Sequence, residues 1–191
     1  MNFDARIVVW VNSHNAPWLD SLMWAISQPT TWIPLYVLLL GLLAYRYRSW
    51  KRVFTVFVWV VIAVVLSDYI CSGVLKPVVG RLRPTWDPSV PVLHHVNGYV
   101  GGQFSFCSSH AATTMAIATI FSMLYRNKIA TCCLMTWVAI IGYSRIYLGV
   151  HYLTDIIAGL LVGLLLGTLA WLVLTHLYHV DDDEESPQAD S

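Results

Sequence analysis

The chain has 191 residues, of which 57% are hydrophobic and only 12% charged, with a formal net charge of zero and a mean hydropathy of +0.61. Soluble domains average about 45–50% apolar and about 25% charged residues. The composition therefore excludes an ordinary soluble domain and reads as one membrane-embedded unit, residues 1–180, followed by an acidic, disordered tail, 181–191. Zero net charge identifies no partner, because the charges are segregated along the chain. The bilayer is the expected partner, and nucleic acid is not.

Residues 3–13 mix Phe3, Ile7, Val8 and Trp10 with Asp4 and Arg6, a pattern that suits an amphipathic arm. No charged start leads into an apolar run with a small-residue cleavage site, so no signal peptide is expected. Residues 17–28 are helical by pattern, either an interfacial helix or a short sixth span. Five long apolar segments follow, at 29–45, 53–75, 108–125, 129–147 and 152–178. Each approaches the ~20 residues needed to cross a hydrocarbon core. The expected fold is an all-α, polytopic membrane helix bundle with five or six spans and an N-terminal amphipathic helix.

Basic residues set the orientation. Arg46, Arg48, Lys51 and Arg52 flank one turn, and Arg126 and Lys128 another. By the positive-inside rule both turns are cytoplasmic. The loops at 76–107 and 145–151 then face outward, and the tail Asp181–Glu185 inward. Lys76, Arg81, Arg83 and Arg145 fall on the outer side, against the rule's bias, so they have another reason to be there. The expected location is a bacterial inner membrane with the site on its periplasmic face.

Other polar or reactive residues read blandly. The four cysteines contain no C-x-x-C pair and suit small core positions; Cys71 and Cys107 are both near the outer face, so a disulfide is the alternative. His94 and His95 lie in a Pro- and Gly-bearing loop without a supporting carboxylate cluster and read as solvated rather than as metal ligands. The run Gly98 to Gln103 follows no strand, so it is not a nucleotide loop, and it suits a mobile pocket edge. Trp18, Trp24, Trp32, Trp50, Trp59 and Trp171 suit an interfacial belt or lipid-facing positions. Asp68 is either a polar partner inside the bundle or an interfacial residue of little consequence.

Three polar clusters at span ends carry the chemistry. Ionisable residues in membrane spans are costly and start as functional candidates. His151 and Asp155 are four apart, so on a helix they share a face. A carboxylate held on one imidazole nitrogen fixes the tautomer and frees the other nitrogen to attack. Alone, the pair better suits a buried lock between helices. Ser108, Ser109 and His110 open a span, where serine caps a helix and unpaired N–H groups attract anions. Lys76 and Arg83 bracket a stretch that Pro77 and Pro84 turn out of the helix. Arginine offers a fork matched to phosphate oxygens and lysine a point charge; Arg81 reads equally as an anchor for anionic headgroups. Arg145 reads as a third phosphate ligand.

Taken together, the clusters resemble the motifs of the type 2 phosphatidic acid phosphatase family of membrane lipid phosphatases, relatives of vanadium haloperoxidases. Lys76 to Pro84 matches Lys-x6-Arg-Pro. Cys107-Ser108-Ser109-His110 stands where the family usually has Pro-Ser-Gly-His. Ser144 to Asp155 matches Ser-Arg-x5-His-x3-Asp. The resemblance covers residues 17–178 and implies catalysis without metal or cofactor. It implies His151 as the nucleophile forming a phosphohistidine, Asp155 as its orienter and His110 as the general acid. It implies Lys76, Arg83, Ser108, Ser109 and Arg145 as phosphate ligands. Ser109 carries a side chain where the family has glycine, which puts its close backbone contact in doubt.

The expected function is hydrolysis of a lipid phosphate monoester or diphosphate, with undecaprenyl diphosphate or phosphatidylglycerol phosphate favoured. The alternatives are a lipid A phosphatase and a phosphotransferase to a lipid or sugar acceptor. A non-enzymatic membrane protein is disfavoured, because the polar residues sit at span ends rather than at the midplane.

Overall fold

The structure, a computed structural model, describes residues 1–184, with side chains through 177. Apart from one isolated bridge between Leu82 and Phe104, its regular elements are helical. They are α1 (Phe3–Ser13), α2 (Pro17–Ser27), α3 (Ile33–Tyr47), α4 (Trp50–Asp68), α5 (Lys76–Val79), α6 (Ser109–Tyr125), α7 (Lys128–Tyr147) and α8 (Leu153–Glu184). A π-helical segment, Tyr69–Leu75, joins α4 to α5 without a break. The backbone of Asp181 to Glu184 continues α8. The tail expected to be disordered lies, from residue 185 onward, outside the described residues.

Among the described residues, three helical stretches are long and apolar enough to cross a membrane: Trp50–Val79, Lys128–Tyr147 and Leu153–Leu177. Pro17–Ser27 and Pro29–Tyr47 together make a fourth, bent by 73°. Helix α6, with 17 residues, is shorter. At 1.5 Å per residue it reaches about 26 Å. It is the hub of the bundle, packing on α4, α7 and α8.

Small residues make this hub possible. Gly159, Gly163 and Gly167 recur every fourth residue on α8 and lie against the α6 backbone. A Cβ at Gly163 would overlap the Ala112 carbonyl and sit 2.8 Å from the Met115 Cβ; at Gly167 it would meet the Ala116 carbonyl at 2.8 Å. Close backbone approach through small residues is the usual device where lipid removes the hydrophobic drive between helices.

Two large apolar clusters fill the bundle, beside a small one around Cys71, Cys107 and Ala112. One, around Leu39, Leu43, Val56, Ile120, Leu134 and Leu174, lies toward the basic turns. The other, around Val8, Val11, Tyr147, Leu148, Val150 and Tyr152, lies toward the polar clusters. Helix α1 docks in the second, burying Asp4, Ala5, Val8, Val11 and Asn12 while Arg6 stays exposed. The apolar side of the amphipathic pattern is therefore satisfied by protein. Asn12 fixes the dock, donating to the carbonyls of His94 and Tyr147 at 2.9 Å each. Arg46 and Arg48 line one cavity with Asn127, so the two basic turns share an end of the bundle.

Several bland readings are corrected by the packing. Cys71 and Cys107 form a disulfide, with Cα atoms 5.2 Å apart, and Cys132 and Cys133 are exposed on α7. None of the four is an ordinary free core cysteine. The pairing arises because the π segment carries Cys71 beside the chain entering α6, a proximity between residues 36 apart in sequence. His94 is pinned, its Nε2 lying 2.9 Å from Asp20 Oδ2, while Tyr147 donates to Asp20 Oδ1 at 2.6 Å. Trp32 packs edge-on against Trp137 and donates to the Ile26 carbonyl, and Trp24 packs edge-on against Tyr99. Those two tryptophans serve the interior rather than a lipid belt.

Candidate active site

One cavity of about 1120 Å³ gathers most of the residues expected from the sequence. Lys76, Arg83, Ser109, His110, Arg145 and His151 line its polar end. Trp32, Tyr36, Leu39, Phe57, Val60 and Val64 line its apolar continuation between α3, α4 and α6. Asp155 and Ser108 stand behind this wall rather than on it.

Each cation is held by its backbone. Lys76 begins α5 after the π segment, a widened turn of the kind frequent at functional sites. Its Nζ donates to Ser72 Oγ at 3.1 Å and Ser109 Oγ at 3.3 Å, and the two hydroxyls are 2.7 Å apart. Ser72 also donates to Asp68 Oδ1 at 3.1 Å, and Asp68 lines the cavity, which makes it a polar partner of the site.

Arg83 is 8% exposed. Its Nε donates to the Phe104 carbonyl and its backbone N–H to the Gln103 carbonyl, both at 3.0 Å. Gly101 sits directly beneath it with φ +68°, and a Cβ there would lie 2.5 Å from Arg83 Nη1. Thr85 and Trp86 donate to the carbonyls of Val100 and Gly101. The glycine run thus forms a fitted floor under Arg83.

Arg145 is 3% exposed in the last turn of α7. It donates to Ser27 Oγ, and to Tyr99 Oη at 3.3 Å. The sequence reading missed both partners. The bend after α2 brings Ser27 to Arg145, and His110 bonds the Ser27 carbonyl as well. Tyr99 also bonds Arg83. Burial pushes the Tyr99 phenol up, but Arg145 and Arg83 outweigh it and bring the phenol below its ordinary value. A tyrosine among glycines carries no such signal in sequence.

His151 is 2% exposed and follows the turn at Gly149 that ends α7. Its Nδ1 faces Asp155 Oδ2 at 3.6 Å, beyond hydrogen-bond length. That leaves Nε2 as the nitrogen on the cavity side. Burial first, and then Arg145, Arg83 and Lys76, hold the imidazole well below its ordinary pKa, so it is neutral at neutral pH. Asp155 Oδ2 accepts from the Tyr152 backbone N–H at 2.9 Å.

Ser108 is the N-cap of α6, its Oγ 3.5 Å from the Ala111 N–H, and its own N–H donates to the Asp155 carbonyl at 3.1 Å. The geometry therefore places the Ser109 side chain, and not that of Ser108, on the cavity wall.

Arg83 Nη1, Arg145 Nε and His151 Nδ1 are buried and without a hydrogen-bond partner. Buried donors of this kind are normally satisfied. Two belong to guanidinium groups at the polar end of the cavity, where they suit an incoming anion.

A helical membrane bundle with a cationic, histidine-bearing cavity at the ends of its helices defines an integral membrane enzyme that handles phosphate. The model of the PAP2 superfamily matches residues 57–178, and the chain belongs to that superfamily. It is accordingly a phosphatase, a hydrolase of phosphate esters or anhydrides. The chain is 33% identical over 174 residues to the lipid A 4'-phosphatase of Porphyromonas gingivalis, covering 91% of this chain and 73% of that protein. It is 31% identical over 173 residues to the lipid A 4'-phosphatase of Bacteroides thetaiotaomicron, covering 90% and 75%. Among solved structures, the transmembrane PAP2 type phosphatidylglycerolphosphate phosphatase of Bacillus subtilis superposes with a TM-score of 0.63 at 21% identity. That match covers 98% of this chain and 87% of the other, and shows a shared fold.

Proposed function

We propose that the chain removes a phosphate from a membrane lipid through a phosphohistidine on His151. The observation that carries this reading is the convergence of Lys76, Arg83 and Arg145, with unpaired guanidinium donors, around a neutral His151 at the head of an apolar cavity. The lipid's phosphate enters the polar end and its chains lie along Trp32, Leu39, Phe57 and Val60. The three cations and the Ser109 hydroxyl grip the phosphoryl oxygens, with donors placed where charge develops.

His151 Nε2 attacks phosphorus while the bond to the lipid oxygen breaks. Asp155 stabilises the imidazolium that forms, and a proton that enters with the substrate's phosphate monoanion passes through His110 to the departing oxygen. Water then attacks the phosphohistidine, returning its proton to His110, and phosphate leaves as the P–N bond breaks. The protein's own cations take the place a metal would fill.

Among lipid phosphates, lipid A phosphate has the most support, from the two relatives above that act on it. Undecaprenyl diphosphate and phosphatidylglycerol phosphate are the other substrates of matching chemistry. The basic turns, on the far side of the bundle from His151, favour a site on the periplasmic face of a bacterial inner membrane.

The test is a labelled-substrate quench. Acid-labile, base-stable label is expected on His151 and none in His151→Ala; label on serine, or near-normal turnover in His151→Ala, refutes the mechanism. Lipid A, undecaprenyl diphosphate, phosphatidylglycerol phosphate and phosphatidic acid, compared on one preparation, then rank the substrates.

A further inference from the structure

We propose that Arg81 and Asp4 are positioning residues for the His151–Asp155 pair, which makes the N-terminal helix α1 part of the active-site apparatus. The proposal rests on the reading of His151 as nucleophile and Asp155 as its orienter.

The geometry is a closed clamp. Arg81 Nη1 donates to Asp155 Oδ1 at 2.9 Å and to Thr154 Oγ1 at 2.6 Å. Arg81 Nη2 donates to Asp4 Oδ2 at 2.7 Å. Asp4 also accepts from the Thr154 backbone N–H at 3.3 Å and from its hydroxyl. The guanidinium lies 3.8 Å over the Tyr152 ring. Three segments, from α1, the loop after α5 and the first turn of α8, are thus tied at one guanidinium.

This arrangement does not suit a lipid anchor. Both terminal nitrogens of Arg81 are committed inside the protein, and one face of its plane is covered by Tyr152. Asp155 is fully buried, whereas Arg81 and Asp4 side chains are 27% and 12% exposed. A buried carboxylate needs partners on both oxygens. Tyr152 N–H takes Oδ2, and Arg81 takes Oδ1. With Oδ1 held from outside, the carboxylate cannot rotate, and Oδ2 stays aimed at His151 Nδ1. Asp4 keeps the guanidinium from swinging away and locks it to Thr154, the neighbour of Asp155. Arg81 does not line the cavity, so it acts through Asp155.

Steady-state kinetics and thermal unfolding of the full chain in detergent test the clamp. Arg81→Ala should lower kcat roughly 10–100-fold, the range found when outer partners of oriented metal-site histidines are removed, with KM unchanged. Arg81→Lys should recover part of the loss, because one cation can still reach Oδ1. Asp4→Asn, which keeps α1's shape, should lower kcat several-fold. Arg6→Ala, on the exposed side of α1, should change neither. In an Asp155→Asn background, Arg81→Ala should cost little more.

A rise in KM with kcat retained would make Arg81 a headgroup ligand and overturn the proposal. So would multiplicative losses with Asp155→Asn, or full activity in Asp4→Asn. If Arg81→Ala does not fold, Arg81→Lys and Asp4→Asn decide alone. An active His151→Ala would instead overturn the catalytic reading itself. An inactive His151→Ala beside independent Arg81 and Asp155 effects would overturn only the clamp.

Discussion

Gly163 in the middle of α8 gives the sharpest test of how the bundle is held. Replacing glycine by alanine in a helix interior ordinarily favours the helix by about 1 kcal/mol. At Gly163 the added Cβ overlaps the Ala112 carbonyl oxygen and lies 2.8 Å from the Met115 Cβ. That oxygen is fixed in the α6 hydrogen-bond ladder and cannot rotate aside, so the helices must separate. Overpacking of this kind costs about 1–3 kcal/mol. The net expectation for Gly163→Ala is a loss of up to about 2 kcal/mol, or up to roughly 8 °C in Tm for a chain of this size.

Gly41 on α3 is the internal control. A Cβ there meets nothing within 4 Å, so Gly41→Ala should be neutral or stabilising by up to about 1 kcal/mol. Circular dichroism melts of both variants in one detergent measure the pair. A Gly163→Ala protein as stable as Gly41→Ala would refute the close α6–α8 contact. Gly159→Ala repeats the overlap at the Ser108 carbonyl, beside the site, so it should lower kcat as well as Tm.

His110→Ala should lower turnover of lipid monoesters by about 10²–10⁴-fold but hardly affect an activated aryl phosphate; equal losses would show that His110 shapes the site rather than donating a proton. The acid limb of kcat/KM should lie well below pH 6.5, because the depressed His151 stays neutral until the medium is acidic. Arg83→Gln removes one of the depressing charges, so with an aryl phosphate that limb should move to higher pH; a limb that stays put would show that His151 does not set it. Replacing Cys71 and Cys107 together by serine opens a loop of 36 residues in sequence separation and should cost about 3–4 kcal/mol by chain entropy; an unchanged Tm, or four free thiols by mass in the untreated protein rather than the two of Cys132 and Cys133, would refute the crosslink. Activity should survive excess EDTA and be inhibited by vanadate, and a loss in EDTA restored by a divalent ion would overturn the cation-only site.

Composition and motif spacing were enough to indicate a helical membrane protein and to select Lys76, Arg83, Ser109, His110, Arg145 and His151, which the fold gathers on one cavity. The reason is physical: in an apolar chain an ionisable side chain stands out by its desolvation cost, and His151 and Asp155 are close enough in sequence to meet locally, although α8 begins only at Leu153 and His151 reaches Asp155 from the turn before it rather than from a shared helical face. Three relationships depended on residues far apart in sequence. Tyr99 and Ser27 reach Arg145 only because the loop folds over and α2 bends away from α3. Cys71 meets Cys107 only because the π segment runs beside the start of α6. Arg81 meets Asp155 and Asp4 across separations of 74 and 77 residues. The glycines of α8 recur at every fourth residue, but such a spacing does not say which helix lies against it. Sequence marks the groups too costly to leave unused, whereas their partners are chosen by packing, because a hydrogen bond depends on distance in space and not along the chain.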